Sequence, residues 1–272
     1  MFKKPLGLLG VFLIVVGIGY FVGAGVAYSK TQGGYGSLAA FSAAQNVELS
    51  FNEDGQLIDR GTTEGAQGIM QLLKDDWDFP VVEGCGNLIS PAGICADDPV
   101  VNNQSEYMYQ MATIVFHTLH GTQTVTLSQG QLDRAIEDGT FFEADGTYTG
   151  ANVDADGNAM AGTVIVADTP YEVAVDGRYW SDFNRADPID ASVREQAWTG
   201  TAHALVAELG VGAATHSALQ LALGIAGLLA GLGVVCMVMG IAFLWHTKKQ
   251  MPPKTVPQDV VDQVNNPEPA NA

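Results

Sequence analysis

Residues 6–28 read LGLLGVFLIVVGIGYFVGAGVAY, and residues 217–245 read SALQLALGIAGLLAGLGVVCMVMGIAFLW. Neither run carries a charge. The first has 23 residues, and as a helix it is about 35 Å long, enough to cross a hydrocarbon core of roughly 30 Å. The second has 29 residues, long enough to span with tilt or to extend past the lipid. These two runs predict a membrane protein whose two transmembrane α-helices flank an α+β extracytoplasmic domain.

Working outward, Lys3 and Lys4 precede the first run, and Lys248, Lys249 and Lys254 follow the second. Basic residues stay on the cytoplasmic side of a membrane, so both ends are expected inside and the long middle segment outside. The expected organisation is a cytoplasmic N-terminus over 1–5, the first span over 6–28, an acidic domain over 29–216, the second span over 217–245 and a disordered cytoplasmic tail over 246–272. From Ser29 to His216 there are 27 acidic and 7 basic residues. A domain so charged repels nucleic acid and anionic headgroups. The competing reading of the first run is a cleaved signal peptide, with Gly25-Val26-Ala27 as the cleavage site. The run exceeds the usual ~7–15-residue apolar region, so a retained plasma-membrane span is expected.

Cys85 and Cys95 are the two cysteines of the middle segment. An oxidising exterior predicts a disulfide between them, worth ~2–3 kcal/mol for so short a loop. Cys236 lies in the second run and reads as a small packing residue.

Local patterns place the elements. Thr31–Ser37, rich in Gly and polar residues, reads as a linker. Val47–Phe51 and Gln56–Asp59 read as strands about the turn Asn52-Glu53-Asp54-Gly55. Glu64–Lys74 is helical with Thr63 as its cap, and Gln104–His120 is helical with Met108, Met111, Ala112, Val115 and Leu119 in one stripe. Thr122–Leu127, Thr163–Ala167 and Tyr171–Val175 read as strands, Leu132–Glu137 as a short helix, and Phe141–Gly162 as a hairpin or loop. Asp187-Pro188 starts a helix expected to run to Leu209, with Gly210 and Gly212 leaving its continuation open.

The residues that could carry chemistry are few. His117 and His120, three apart on one helix face, are candidate metal ligands, but a site needs a third and a fourth. Asp154, Asp156 and Asn158 begin like a calcium loop, yet Ala159 stands where Gly is needed and Ile165 where Glu is needed. Arg178, Tyr179 and Trp180 combine the residue types of protein contacts and are a candidate partner contact, or else core aromatics. Gly19 and Gly23, and Gly227 and Gly231, have the spacing of helix-packing pairs. Neither apolar run contains an ionisable residue, which argues against an ion or proton pathway through this chain alone. No cofactor motif is expected.

Two spans around an acidic, disulfide-bearing exterior domain, with the stretches Arg178-Tyr179-Trp180 and Ala197-Trp198-Thr199-Gly200, resemble the uncharacterised two-span envelope membrane proteins of actinobacteria. The resemblance is architectural and covers the whole chain. It implies an envelope protein and transfers no functional residue. The expected function is a non-catalytic, membrane-anchored module, an accessory or stabilising subunit of a larger respiratory or transport complex. Its expected partners are other membrane protein subunits and lipid. The alternative is a metal-dependent envelope enzyme using His117 and His120. An extracytoplasmic sensor is disfavoured by the short tail.

Overall fold

The computed structural model describes residues 3–86, 93–144, 147–150 and 164–249. The calcium-like residues 154–158 and the tail from 250 lie outside them. The described chain forms two units. Residues 3–35 with 219–249 make a helical pair, and residues 36–218 make a small α+β region.

Among the described residues two helices are long and apolar enough to cross a membrane: α1, Lys3–Gln45, and α6, Gly200–Lys249. Only 11% of the most apolar stretch of either is buried within the chain, which is not how the core helix of a soluble domain behaves. Leu8, Phe12, Leu221 and Trp245 are each at least 60% exposed.

Within the helical pair the buried positions recur every seventh residue. They are Gly10, Gly17, Ala24 and Thr31 on α1, and Ala226, Gly233 and Gly240 on α6. Gly10 lies against Gly240 and Gly17 against Gly233, so the helices are antiparallel. A Cβ on Gly17 would stand 2.8 Å from Met237 Cγ, and one on Gly240 would stand 2.7 Å from the Gly10 carbonyl oxygen. A period of seven is 3.5 residues per turn, the repeat that keeps one seam facing a partner helix along its length.

The linker expected at Thr31–Ser37 is helical. Gly34 packs on the Leu219 side chain, and the Thr31 hydroxyl donates to the Ala27 carbonyl at 2.9 Å. Glycine costs a helix about 1 kcal/mol relative to alanine, and close packing offsets that cost here. The glycines at 210 and 212 likewise leave α6 unbroken. Gly212 faces the Tyr107 ring, where a Cβ would come within 2.7 Å.

The α+β region follows local signals closely. Strands β1 (Ser50–Phe51) and β2 (Leu57–Ile58) pair as an antiparallel hairpin. After β2, Asp59 and Thr62 exchange backbone hydrogen bonds at 2.9 Å across Arg60 and Gly61. Both central residues have positive φ, 49° and 82°, as the tight primed turn requires. Helix α2, Thr63–Gln71, is capped by Thr62 rather than Thr63, because the Thr62 hydroxyl accepts from the Gly65 N–H. It continues as a π-helical turn, Leu72–Asp76. Helix α3, Gln104–Leu119, begins with a capping box of Asn103 and Glu106. The expected stripe supplies Ala112, Val115 and Leu119 to the core, but Glu106, Tyr107 and Tyr109 are buried too, so α3 is enclosed on more than one face.

Strand β3, Thr122–Thr126, pairs antiparallel with β7, Pro170–Ala174, in the register Thr122↔Ala174 to Thr126↔Pro170. Helix α4, Gln129–Glu137, leads into a three-stranded sheet of β4 (Phe141–Ala144), β5 (Thr147–Gly150) and β6 (Val164–Ile165). Ile69, Leu73, Val115, Val125, Leu132, Phe141 and Val193 share one core. The last helical stretch is divided. Helix α5, Pro188–Ala197, ends at Trp198, whose ψ of 63° leaves the helical region. A new helix then starts, with the Thr199 hydroxyl accepting from the Ala202 N–H at 3.1 Å. Trp198 interrupts the helix expected to run to Leu209, because its indole is drawn into the core, where it donates to the Arg178 carbonyl at 3.1 Å.

Candidate functional site

The candidate contact Arg178-Tyr179-Trp180 follows β7 across the turn Asp176-Gly177, both at positive φ. Arg178 spends its guanidinium inside the chain. It pairs with Asp190 at 2.7 Å, donates to the carbonyls of Val175 at 3.0 Å and Ala174 at 3.3 Å, and lies 4.3 Å over the Phe183 ring. Trp180 packs against the core under the Arg194 guanidinium at 4.2 Å and meets the His203 ring edge-on at 5.0 Å. Tyr179 stacks on Trp198 at 5.8 Å and accepts from the Trp77 indole at 3.2 Å, yet stays 37% exposed. The three residues thus staple β7 to α5 and to the start of α6, and Tyr179 alone of the three is exposed. Cation–π contacts with desolvated rings are each worth about 1–2 kcal/mol, so this cluster is foremost a stabilising one.

The histidines are directed apart. His117 Nε2 is 3.0 Å from Asp59 Oδ1, with both side chains mostly buried. His120 turns back on its own helix, Nδ1 lying 2.8 Å from the Phe116 carbonyl and the ring 4.2 Å from the Phe116 ring. His203 is taken up between Trp180 and Trp198. The i, i+3 spacing puts the two residues on one helix face, and each imidazole takes a different partner. Among the described residues the group of three side chains close enough to share an ion is Cys85, Cys95 and Asp97. Cys85 and Cys95 form a disulfide, as the sequence predicts, and so offer no thiolate.

The disulfide arm, residues 81–86 and 93–98, is held by residues that patterning alone does not single out. At the start of α3, Ser105 Oγ accepts from the Val82 N–H at 2.9 Å, and Asn103 Nδ2 donates to the Gly93 carbonyl at 3.0 Å. Next to Ser105, Glu106 is 1% exposed, its carboxylate accepting from the backbone N–H groups of Asn102 at 2.9 Å and Asn103 at 3.2 Å. Burial pushes this carboxyl up from 4.5 to about 7, against the lowering effect of those two bonds. The spacing Asn103-x-x-Glu106 is a readable capping-box signal, whereas its burial is not. The arm, the β1–β2 hairpin and α2 frame a groove of about 770 Å³ that includes the ion pair Lys74–Glu83.

The four glycines picked out by spacing are not those of the helix seam. Among the described residues nothing lies within 4 Å of where a Cβ on Gly19, Gly227 or Gly231 would be, and Gly23 has only Leu229 Cδ1 at 3.8 Å. The internal contact belongs to Gly10, Gly17, Gly233 and Gly240, which a search for pairs four apart passes over. The sequence signal for them is the repeat of seven. Gly227 instead borders an apolar groove of about 520 Å³ floored by Ala24 and Ala226.

Comparison with protein-family models, with curated proteins and with solved structures finds no match.

Proposed function

We propose that this chain is a two-pass plasma-membrane protein with both termini cytoplasmic and its acidic α+β region outside. In this reading it serves as a non-catalytic accessory module that associates with other membrane subunits through its helices. The observation that supports it is the second set of glycines. Gly19, Gly227 and Gly231 weaken their helices, and a Cβ on any of them would meet nothing within 4 Å among the described residues. In a bilayer such residues let a neighbouring backbone approach, and close van der Waals packing is what drives helices together there. The Cys85–Cys95 disulfide agrees with an oxidising exterior.

The test is a mild-detergent pull-down of the double variant Gly227→Leu, Gly231→Leu. Leucine is favourable in the membrane, so insertion is retained. Co-purifying membrane proteins should be lost, while Val235→Leu, at a position 53% exposed, should keep them. Partners retained by the glycine variant would remove the basis of the proposal. Orientation is tested separately: a reporter cysteine at Ser37 should label from outside intact cells, and one at Gln258 should not.

A further inference from the structure

In a region with 27 acidic and 7 basic residues an arginine has many carboxylates to choose from. Lys74, Arg178 and Arg194 each take one. Among the described residues Arg134 and Arg185, like Lys30 and Arg60, take none, although both are exposed. Both line the same groove, about 610 Å³, between α4 and the start of α5.

The two cations are presented on fixed elements. Arg134 donates Nε to the Gly130 carbonyl at 3.0 Å within its own helix, and the residue lines the groove. Arg185 sits in the turn that caps α5, where Asn184 N–H donates to Asp190 at 3.1 Å and Ala186 N–H to Asn184 at 3.1 Å. Asp187 closes that turn by accepting from the Ile189 N–H at 2.8 Å. A planar guanidinium matches a carboxylate in a two-point contact, and preorganisation reduces the entropy lost on binding.

The groove is not simply basic. Asp138 and Glu195 line it as well, so it carries carboxylates beside its two arginines, Glu195 also being bonded to Arg194 at 3.2 Å. A bare anion gains little from such a field, whereas a ligand with one charge of each sign complements it. Gln131 and Ser192 add neutral hydrogen-bonding groups. We propose that this groove binds a small zwitterion of amino-acid or short-peptide type, its carboxylate on Arg134 and Arg185 and its ammonium toward Asp138 and Glu195. This goes beyond the accessory-module reading and does not depend on it.

The experiment titrates the full-length protein in nanodiscs with the dipeptide Ala-Ala, followed by saturation-transfer NMR. Saturable binding is expected below ~10 mM, weakened about tenfold or more in Arg134→Gln, Arg185→Gln, since charge-assisted contacts are the strong ones. Both positions are exposed, and circular dichroism verifies that the variant is folded. Asp138→Asn should weaken Ala-Ala but leave N-acetyl-Ala-Ala unchanged, because only the former carries the ammonium. Absence of saturable binding, equal binding by the double variant, or displacement by inorganic phosphate as effective as by Ala-Ala would each overturn the proposal.

Discussion

Along the seam of the helical pair the buried residues are Gly10, Gly17, Ala24, Thr31, Ala226, Gly233 and Gly240. In the α+β region they are Ile69, Leu73, Val125, Leu132, Phe141 and Val193. One unit buries its smallest side chains and leaves Leu8, Phe12 and Leu221 outward, while the other buries its largest and faces outward with charge. It is the difference expected if, as proposed, the helical pair lies in a bilayer and the α+β region in water. Water drives large apolar side chains together in proportion to the area they remove from solvent. Hydrocarbon offers a leucine no such gain, so helices there hold together by close backbone approach. The same inversion makes the two units fail in different ways when perturbed.

The largest effect is expected in the α+β core. Leu73 is fully buried, and Leu73→Ala should cost about 2–5 kcal/mol through lost transfer energy and the cavity left behind. Thermal unfolding followed by near-ultraviolet circular dichroism should register this, while the far-ultraviolet signal of the two long helices persists. A simultaneous loss of both signals would show that the units unfold together and that the comparison is too sharp.

The seam should respond in the opposite sense, to added rather than removed volume. Gly240→Leu would drive a side chain into the Gly10 carbonyl and Ile14. Overpacking of this kind costs about 1–3 kcal/mol. A disulfide cross-link between cysteines introduced at Gly7 and Thr247, which approach each other, should form readily in the parent and poorly in the variant. Gly240→Ala, with a smaller clash, should fall between them.

A pH effect is expected in the α+β region from Glu106. Its carboxyl stands at about 7 in the folded chain against an ordinary 4.5. The folded state therefore holds the proton more tightly, and the stability this contributes is present below pH 4.5 and lost as pH rises through about 7. Glu106→Gln keeps an acceptor for the Asn102 and Asn103 N–H groups but cannot ionise. The melting temperature of the parent relative to this variant should fall between those two pH values and be level outside them. A constant difference across the range would assign Glu106 a packing role alone.

The smallest effect sharpens the comparison within the helical pair itself. Gly19→Leu places a side chain in open space, so the cross-link at 7 and 247 should form as in the parent. A slight gain in helix stability, below about 1 kcal/mol, is expected from propensity. Weakened cross-linking would mean that the open glycines also shape the internal seam.

What the amino-acid order determined by itself are features whose causes lie within a few residues. The two uncharged runs give helices long enough to span. Asn103 and Glu106 mark the start of α3, Asp187-Pro188 marks that of α5, and Asn52 to Gly55 turns the first hairpin. The pairing of Cys85 with Cys95 follows because no other cysteine stands in the middle segment. Tertiary structure decided the features that depend on a distant partner. Thr31–Ser37 is helix because Gly34 has Leu219 to pack on. His117 is held by Asp59, 58 residues away, and β3 pairs with β7 across an intervening helix and sheet. Trp198 breaks the last helical stretch because its indole is drawn inward to the Arg178 carbonyl. Which glycines pack is decided the same way. Spacing ranks Gly19 with Gly23 and Gly227 with Gly231 above the rest, but a glycine lets a backbone approach only where another backbone arrives, and the antiparallel register of α1 and α6 brings Gly240 to Gly10 and Gly233 to Gly17.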